Sequence, residues 1–276
     1  MTNITRRQAL AAGGIAAAGL ISPARAADDV LAKVKAAGVL KVGTETEFAP
    51  FDFIEGGKAV GFNYDLLAEV AKELAIKIEY VALPWESVIP GLDANKFDMV
   101  SGPATITKAR SARYRFCLPI ADATCALIKK ASDKSLMKPA DIAGKAVGSG
   151  KATSQLEQLK KFSATLAKPV TIREYPDFSA AYADLAAGRI AAVANSLPNI
   201  GALAAKRKEF GLVLPPFGEK SYFGYFARKE AASNTLMDAV DNAIRKIKKD
   251  GRMAKLDQKW FGTVFDTPDF VPEPLV

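Results

Sequence analysis

Histidine is absent from this chain of 276 residues, and cysteine occurs only twice, at Cys117 and Cys125. Without histidine the protein cannot hold a Ser-His-Asp triad, a Cys-His nucleophile pair or a His-ligated metal. Two cysteines are too few for a Cys₄ zinc or iron–sulfur site within one chain. We therefore expect neither a metal nor a cofactor.

A long apolar segment is also lacking, since the uncharged run near the start covers only residues 9–21. A bilayer-spanning helix needs about 20 residues, which disfavours the alternative of a membrane anchor. The layout instead predicts a signal peptide over residues 1–26. Its parts are a charged start at Arg6 and Arg7, the apolar run, and a small-x-small cleavage site at Ala24, Arg25 and Ala26. The paired arginines also suggest twin-arginine export, with the general secretory route left open. We expect cleavage after Ala26 and a periplasmic location for residues 27–276.

The surplus of positive charge is small. The chain has 38 basic and 30 acidic side chains, and removal of the signal peptide leaves 35 against 30, a net charge of +5. The densest basic run, Lys108 to Arg115, lacks the interleaved aromatics of a nucleic-acid-binding motif. We expect no nucleic-acid partner.

The two cysteines lie eight residues apart in a stretch that reads as extended. An extended chain would separate them by roughly 26 Å, whereas a disulfide needs Cα atoms within about 7 Å. Export would permit a disulfide if the chain doubled back. We favour buried free thiols.

Strand and helix patterns alternate along the chain. Strands are predicted at residues 39–44, 76–83, 97–101, 145–149, 170–175, 190–194, 212–216 and 221–228. Helices are predicted at 64–75, 86–94, 155–166 and 178–187, with further C-terminal helices interrupted at Asp250-Gly251. This βαβαβ order indicates parallel sheets with helices on both faces.

The two halves of the chain resemble each other at an offset of 93 positions. Trp85 then coincides with Phe178, and Val100 with Val193. This correspondence predicts two lobes of one design. The first lobe would comprise residues 27–121 with a return over 220–276, and the second residues 122–219. Two crossings between lobes would form a hinge beside a cleft.

Ligands of open parallel sheets bind beyond the carboxyl ends of the strands. That rule selects ten candidate ligand-binding residues: Glu45, Phe48, Trp85, Gly102, Thr105, Arg110, Thr153, Ser154, Asn195 and Ser196. Arg110 could hold a carboxylate through two parallel hydrogen bonds, although a solvated arginine is the plain alternative. Ser154 begins a Ser-x-x-Glu capping box, so a helix start that attracts anions is expected there, or a cap without a ligand. The aromatic rings of Phe48 and Trp85 could stack on a ligand or belong to the core.

Several motifs then resemble the polar amino-acid-binding proteins of ABC importers, the family 3 extracellular solute-binding proteins. They are Glu47-Phe48-Ala49-Pro50-Phe51, Gly61-Phe62-Asn63-Tyr64-Asp65-Leu66-Leu67, Gly102-Pro103-Ala104-Thr105-Ile106-Thr107 with Arg110, and Lys259-Trp260-Phe261-Gly262 after Asp250-Gly251. The resemblance covers nearly all of residues 27–276. It implies an α/β, two-lobed, type II periplasmic-binding-protein-like fold, each lobe a mostly parallel sheet flanked by helices and joined by two hinge crossings.

The resemblance also implies residue roles. Arg110 would hold the α-carboxylate of the ligand, together with Thr153 and Ser154 at a helix start. The Gly102 carbonyl and the Thr105 hydroxyl would receive the α-ammonium. Phe48 and Trp85 would stack on the ligand side chain, near Glu45.

The chain departs from the family where an aspartate usually pairs with the α-ammonium. Ser196 occupies that place, with Asn195 beside it. Either Glu45 or Glu47 substitutes for the aspartate, or the ligand is not an ordinary α-amino acid. Ala152 also replaces a glycine before Thr153.

These features predict a monomeric, non-enzymatic binding protein that delivers a small carboxylate-bearing solute, an amino acid or derivative, to an inner-membrane ABC permease by hinge closure. One alternative is an enzyme similar to cyclohexadienyl dehydratase, using Glu45, Glu47 or Glu174 as acid or base. Another is a sensor partner that presents its ligand to a receptor.

Overall fold

The computed structural model describes residues 29–276, so the expected signal peptide and its cleavage site lie outside the described residues. Nine α-helices and fourteen strands are found over that range. The helices are α1 (Val30–Ala37), α2 (Phe62–Leu74), α3 (Trp85–Asp93), α4 (Lys108–Arg113), α5 (Ser154–Ala164), α6 (Phe178–Ala186), α7 (Leu197–Lys206), α8 (Ala231–Lys249) and α9 (Arg252–Phe261), with a 3₁₀ turn at Pro139–Ile142. None of the described helices has the length and apolarity needed to cross a membrane.

The first sheet has the strand order β5-β1-β6-β14-β7, with β8 also pairing with β14. Its strands are β1 (Val39–Thr44), β5 (Lys77–Ala82), β6 (Met99–Thr105), β7 (Tyr114–Phe116), β8 (Ala121–Asp122) and β14 (Tyr222–Arg228). The strand β1 runs parallel to β5 and β6, with Val39 opposite Lys77 and Val42 opposite Met99. The strand β14 is antiparallel to β6 and places Phe223 opposite Thr105. A small separate sheet is formed by β2 (Glu47–Phe48), β3 (Asp52–Glu55) and β4 (Lys58–Val60).

The second sheet has the order β11-β10-β12-β9-β13. Its strands are β9 (Cys125–Lys130), β10 (Ala146–Gly150), β11 (Thr171–Tyr175), β12 (Ala192–Ser196) and β13 (Phe210–Val213). The strand β10 is parallel to β11 and β12, and β9 is antiparallel to β12. Each sheet therefore carries three parallel strands followed by one antiparallel strand.

The internal repeat recurs in the structure at the offset read from the sequence. Helix α3 begins at Trp85 and α6 at Phe178, while β6 begins at Met99 and β12 at Ala192. Both pairs of starting points are 93 residues apart. The expectation of two units with one design is confirmed.

The chain passes between the sheets twice, first from β8 to β9 and later from β13 to β14. The C-terminal helices then return to the first sheet, where α8 packs on α1 and α2. Helix α8 buries Leu236, Val240, Ile244 and Ile247 at helical spacing, which explains why this segment forms a helix and where it docks. The mixed α/β class with helices flanking the sheets is confirmed.

Some local predictions were wrong. Strand β6 continues to Thr105 rather than ending at Ser101, because β14 supplies hydrogen-bond partners from a segment more than 100 residues later. Helix α7 was not anticipated, although Pro198 in its first turn is a typical start signal. The strand predicted at 212–216 ends at Val213, before Pro215 and Pro216, which cannot donate to a ladder.

Both cysteines are buried and free, as expected. Cys117 accepts the Tyr225 backbone N–H at 3.1 Å, and Cys125 begins β9 in the other sheet. Burial raises the pKa of each thiol above the ordinary value of cysteine, so both thiols remain protonated.

Candidate functional site

The carboxyl ends of the parallel strands of both sheets face one cleft. The cleft holds a cavity of about 20 Å³, which is room for little more than one water molecule. Seven of the ten candidate residues line it: Glu45, Phe48, Trp85, Thr105, Arg110, Thr153 and Ser154. The strand-end rule therefore found seven of the fifteen residues that line the cavity.

Three candidates do not line this cavity. Gly102 lies behind it, where an added Cβ would be 3.5 Å from the Trp85 ring. Asn195 and Ser196 are buried and hydrogen-bonded to each other, since the Ser196 N–H donates to Asn195 Oδ1 at 2.7 Å. The Ser196 hydroxyl also bonds to Asn199. The expected place of Ser196 at a ligand ammonium stays a prediction.

Arg110 projects from the start of α4, where the Thr107 hydroxyl accepts the Arg110 N–H at 3.1 Å and caps the helix. Its guanidinium donates to two backbone carbonyls, that of Thr105 at 3.2 Å and that of Ala152 at 3.3 Å. It also lies 5.7 Å from the centre of the Trp85 ring. No carboxylate of the described residues lies within ion-pair distance of it.

Burial lowers the pKa of Arg110 to about 10, so the group remains a cation at neutral pH. A desolvated cation whose hydrogen bonds go only to neutral carbonyls gains from an anionic partner. The electrostatics of the site therefore favour a carboxylate near Arg110.

Helix α5 begins at the cleft, but its cap differs by one residue from the sequence prediction. The N-cap is Thr153, whose hydroxyl accepts the Leu156 N–H at 3.1 Å. The Ser154 hydroxyl instead donates to Thr105 Oγ1 at 2.6 Å, across the cleft from the first sheet. Ser154 is thus free to link the two sheets because its neighbour caps the helix.

Acidic groups line the same cavity as the cation. Glu45 follows β1 and is 8% exposed, and Asp177 follows β11 and caps α6 by accepting the Ala180 N–H at 2.8 Å. Burial raises the pKa of Glu45 well above its ordinary value, and the charges of Asp52, Glu47 and Asp177 raise it further. Asp177 was missed by the sequence analysis, although the strand-end rule applied to β11 would have found it. Glu174, a candidate acid in the enzyme alternative, instead pairs with Lys160 at 3.3 Å on the exposed side of the strand.

Aromatic rings form the remaining walls. The Phe48 ring centre lies 5.6 Å from that of Phe178 and 5.8 Å from that of Phe223, and all three line the cavity. The Trp85 indole N–H donates to the Ala152 carbonyl at 3.2 Å. Phe178 and Phe223 were not among the candidates.

Gln155 is a further lining residue that the sequence analysis missed. It is 3% exposed, and its Nε2 amide group has no hydrogen-bond partner among the described residues. A buried donor without a partner is costly, and a ligand acceptor in the cavity would satisfy it.

The chain matches one family of known proteins over most of its length. Residues 40–263 match the family described as bacterial extracellular solute-binding proteins, family 3. The chain is 31% identical over 253 residues to the L-cystine-binding protein TcyJ of Escherichia coli (strain K12), covering 89% of this chain and 91% of that protein.

Solved structures give the same result. An ancestral arginine-binding protein bound to arginine superimposes with a TM-score of 0.74 at 32% identity, covering 82% of this chain and 99% of that one. The ancestral amino acid-binding protein AncCDT-1, a precursor of cyclohexadienyl dehydratase, does so with a TM-score of 0.76 at 30% identity, covering 84% and 99%. The expected type II periplasmic binding fold is confirmed.

Proposed function

Because the chain belongs to the bacterial extracellular solute-binding proteins of family 3, we propose that it captures a zwitterionic amino acid and delivers it to an ABC permease in the inner membrane. The protein would act in the periplasm as a monomer, after removal of residues 1–26. Residues 27–121 and 220–276 would form one lobe and residues 122–219 the other.

The observation that carries this proposal is that a cation and two acidic side chains line one cleft. The Arg110 cation has no carboxylate partner among the described residues, while Glu45 and Asp177 line the same cavity. An α-amino acid carries a carboxylate and an ammonium on one carbon and complements this arrangement. The N–H groups at the start of α5 add positive potential on the carboxylate side.

Closure of the cleft is the proposed mechanism. The cavity of about 20 Å³ is far below the roughly 300–1,000 Å³ of typical ligand pockets, so the lobes must separate to admit a ligand. Direct contacts join the sheets across the gap, among them the bonds from Arg110 and Trp85 to the Ala152 carbonyl. A ligand would promote closure by bridging the sheets with contacts that the open form lacks.

A thermal unfolding screen over the common L-amino acids and L-cystine tests the proposal. A ligand at 100 times its dissociation constant should stabilise the protein by about 2.7 kcal/mol. That corresponds to a rise in melting temperature of roughly 5–10 °C for a chain of this size. The absence of any shift across the set would refute the proposal.

A second candidate function is acid–base catalysis on a cyclic carboxylate. It is favoured by the buried Glu45 carboxyl, whose pKa burial raises above its ordinary value, and by the likeness to AncCDT-1. Incubation of purified protein with a cyclohexadienyl carboxylic acid tests it. Turnover that Glu45→Gln abolishes would establish the enzyme, and no turnover by the wild type would exclude it.

A further inference from the structure

A second cavity lies behind the aromatic wall of the first. Its volume is about 210 Å³, roughly ten times that of the first cavity, and Phe48 and Phe178 line both. Their ring centres are 5.6 Å apart and their planes are tilted by 43°. These two rings therefore separate the two spaces, and a ligand that occupied both would have to displace them.

The second cavity repeats the charge pattern of the first. Lys206 at the end of α7 lines it, and no carboxylate of the described residues lies within ion-pair distance of its ammonium. Glu47 also lines it and accepts the Ser179 hydroxyl at 2.6 Å. The neighbouring Arg207 is paired with Glu209, whereas the Lys206 ammonium lies 5.8 Å from the centre of the Phe53 ring and has no acidic partner among the described residues.

The Tyr182 hydroxyl is a neutral group in the second cavity, beside the charged side chains of Lys206 and Glu47. The Tyr182 hydroxyl accepts the Asn195 amide at 2.8 Å, and both residues line the cavity. Among the described residues, the Tyr182 hydroxyl is found only as an acceptor and donates to no partner. Burial raises the pKa of Tyr182, so the group keeps its proton at neutral pH.

We infer that the second cavity receives the second amino-acid head of a two-headed ligand, an α,α′-diamino dicarboxylic acid of the cystine type. This inference rests on the proposed function, since the first head would lie by Arg110. The second carboxylate would meet Lys206 and the Tyr182 hydroxyl, and the second ammonium would meet Glu47. The linker would pass between Phe48 and Phe178, where a disulfide or thioether makes favourable sulfur–aromatic contacts.

The placement of Asn195 fits this assignment. Sequence reasoning put Ser196 at the place of the ammonium partner of the first head, with Asn195 beside it, whereas in the structure Asn195 lines the second cavity. An uncharged amide there orients the Tyr182 hydroxyl without adding a charge of its own. The departure from the family pattern at positions 195 and 196 then belongs to the second head and not to the first.

Calorimetric titration with matched ligands tests the inference. The probes are L-cystine and 2,6-diaminopimelic acid, which have two heads, and S-methyl-L-cysteine, which has one head and a thioether. The wild type should bind at least one two-headed probe more than tenfold more tightly than S-methyl-L-cysteine. Cystine can be used without a reductant because Cys117 and Cys125 are buried.

Variants at the second cavity locate the effect. Lys206→Ala and Tyr182→Phe should each weaken two-headed binding about three- to tenfold and leave S-methyl-L-cysteine binding unchanged. Lys208→Ala is the matched control, since Lys208 is exposed and does not line the cavity. Because Lys206 is also exposed, its removal should not impair folding.

The outcomes separate the two proposals. If one-headed amino acids bind but a second head gives no gain, or if Lys206→Ala weakens both kinds of probe equally, the inference is overturned and the proposed function stands. If no amino acid of either kind binds, both are overturned.

Discussion

The guanidinium of Arg110, in helix α4, donates at 3.3 Å to the backbone carbonyl of Ala152, which follows strand β10 of the second sheet. Ala152 adopts a left-handed conformation with φ of 58°. The same carbonyl accepts the Trp85 indole N–H. One backbone oxygen thus occupies donors that a ligand carboxylate would claim through stronger, charge-assisted bonds. Competition between that carbonyl and a carboxylate couples ligand binding to the relative position of the sheets.

Arg110→Ala should abolish the main anchor of the ligand. Two charge-assisted hydrogen bonds of about 1.5–3 kcal/mol each are lost, so affinity should fall by at least 100-fold. Arg113→Ala is the matched control on the same helix, because Arg113 is exposed and pairs with Asp93 outside the cleft. Calorimetry with the ligand found in the thermal screen measures both variants. Equal affinity of Arg110→Ala and wild type would contradict the assignment.

Ala152→Gly should stabilise the protein. A left-handed conformation costs a non-glycine residue about 1–2 kcal/mol, while glycine costs about 0.5–1 kcal/mol in chain entropy. The expected net gain in the free energy of unfolding is about 0.5–1 kcal/mol. Ala183→Gly, at an exposed position within α6, should instead destabilise by about 1 kcal/mol. Denaturant unfolding of both variants checks the signs, and a loss of stability in Ala152→Gly would show that the strain is absent.

Local patterns in the sequence were sufficient to predict the framework. Hydrophobic periodicity and strand order gave the βαβαβ units, and the rule about strand ends found Arg110 and Glu45. The offset between Trp85 and Phe178 is also the offset between the starts of α3 and α6, because equivalent helices repeat the same packing requirement in both units. The resemblance to a family was carried by short motifs of neighbouring residues.

Contacts between distant segments could not be predicted in the same way. The capping-box pattern began at Ser154, but Thr153 is an equally good cap, and only the Thr105 hydroxyl across the cleft decides between them. Counting along β12 to Ser196 likewise assumed a side-chain direction that hydrogen bonding to Asn199 changes. Asp177, by contrast, follows β11 and could have been predicted by the rule about strand ends.

Stability should fall as the pH rises from about 5 to 8, and Asp52 should be a principal cause. Asp52 is fully buried and accepts the Asn63 amide at 2.5 Å, while its Oδ1 atom has no partner among the described residues. Burial raises the pKa of Asp52 from 3.8 to about 8. Between these values the folded protein keeps a proton that the unfolded chain releases, so the free energy of unfolding decreases as the pH rises.

Asp52→Asn should flatten this dependence by more than about 1 kcal/mol, the equivalent of one pKa unit. Part of the fall should remain, because burial also raises the pKa of Glu45 and brings that of Asp257 to about 7. Asp266→Asn, at an exposed position, is the control and should leave the dependence unchanged. Denaturant unfolding at pH 5 and pH 8 measures the difference. A wild-type protein that is more stable at pH 8 than at pH 5 would contradict the prediction.

Deletion of residues 268–276 should weaken ligand binding about three- to tenfold with a stability loss of about 1 kcal/mol or less. This tail lies beyond the family match, which ends at residue 263. Its last carbonyl, at Val276, accepts the Lys108 N–H at 2.9 Å and so holds the first turn of α4, the six-residue helix that carries Arg110. A short helix without that partner frays at its start, and the guanidinium loses its fixed position. Phe270→Ser, at a site 72% exposed in the same tail, keeps the Val276 contact and should bind as the wild type does. Wild-type affinity in the truncated protein, measured by calorimetry, would show that α4 holds Arg110 without help from the tail.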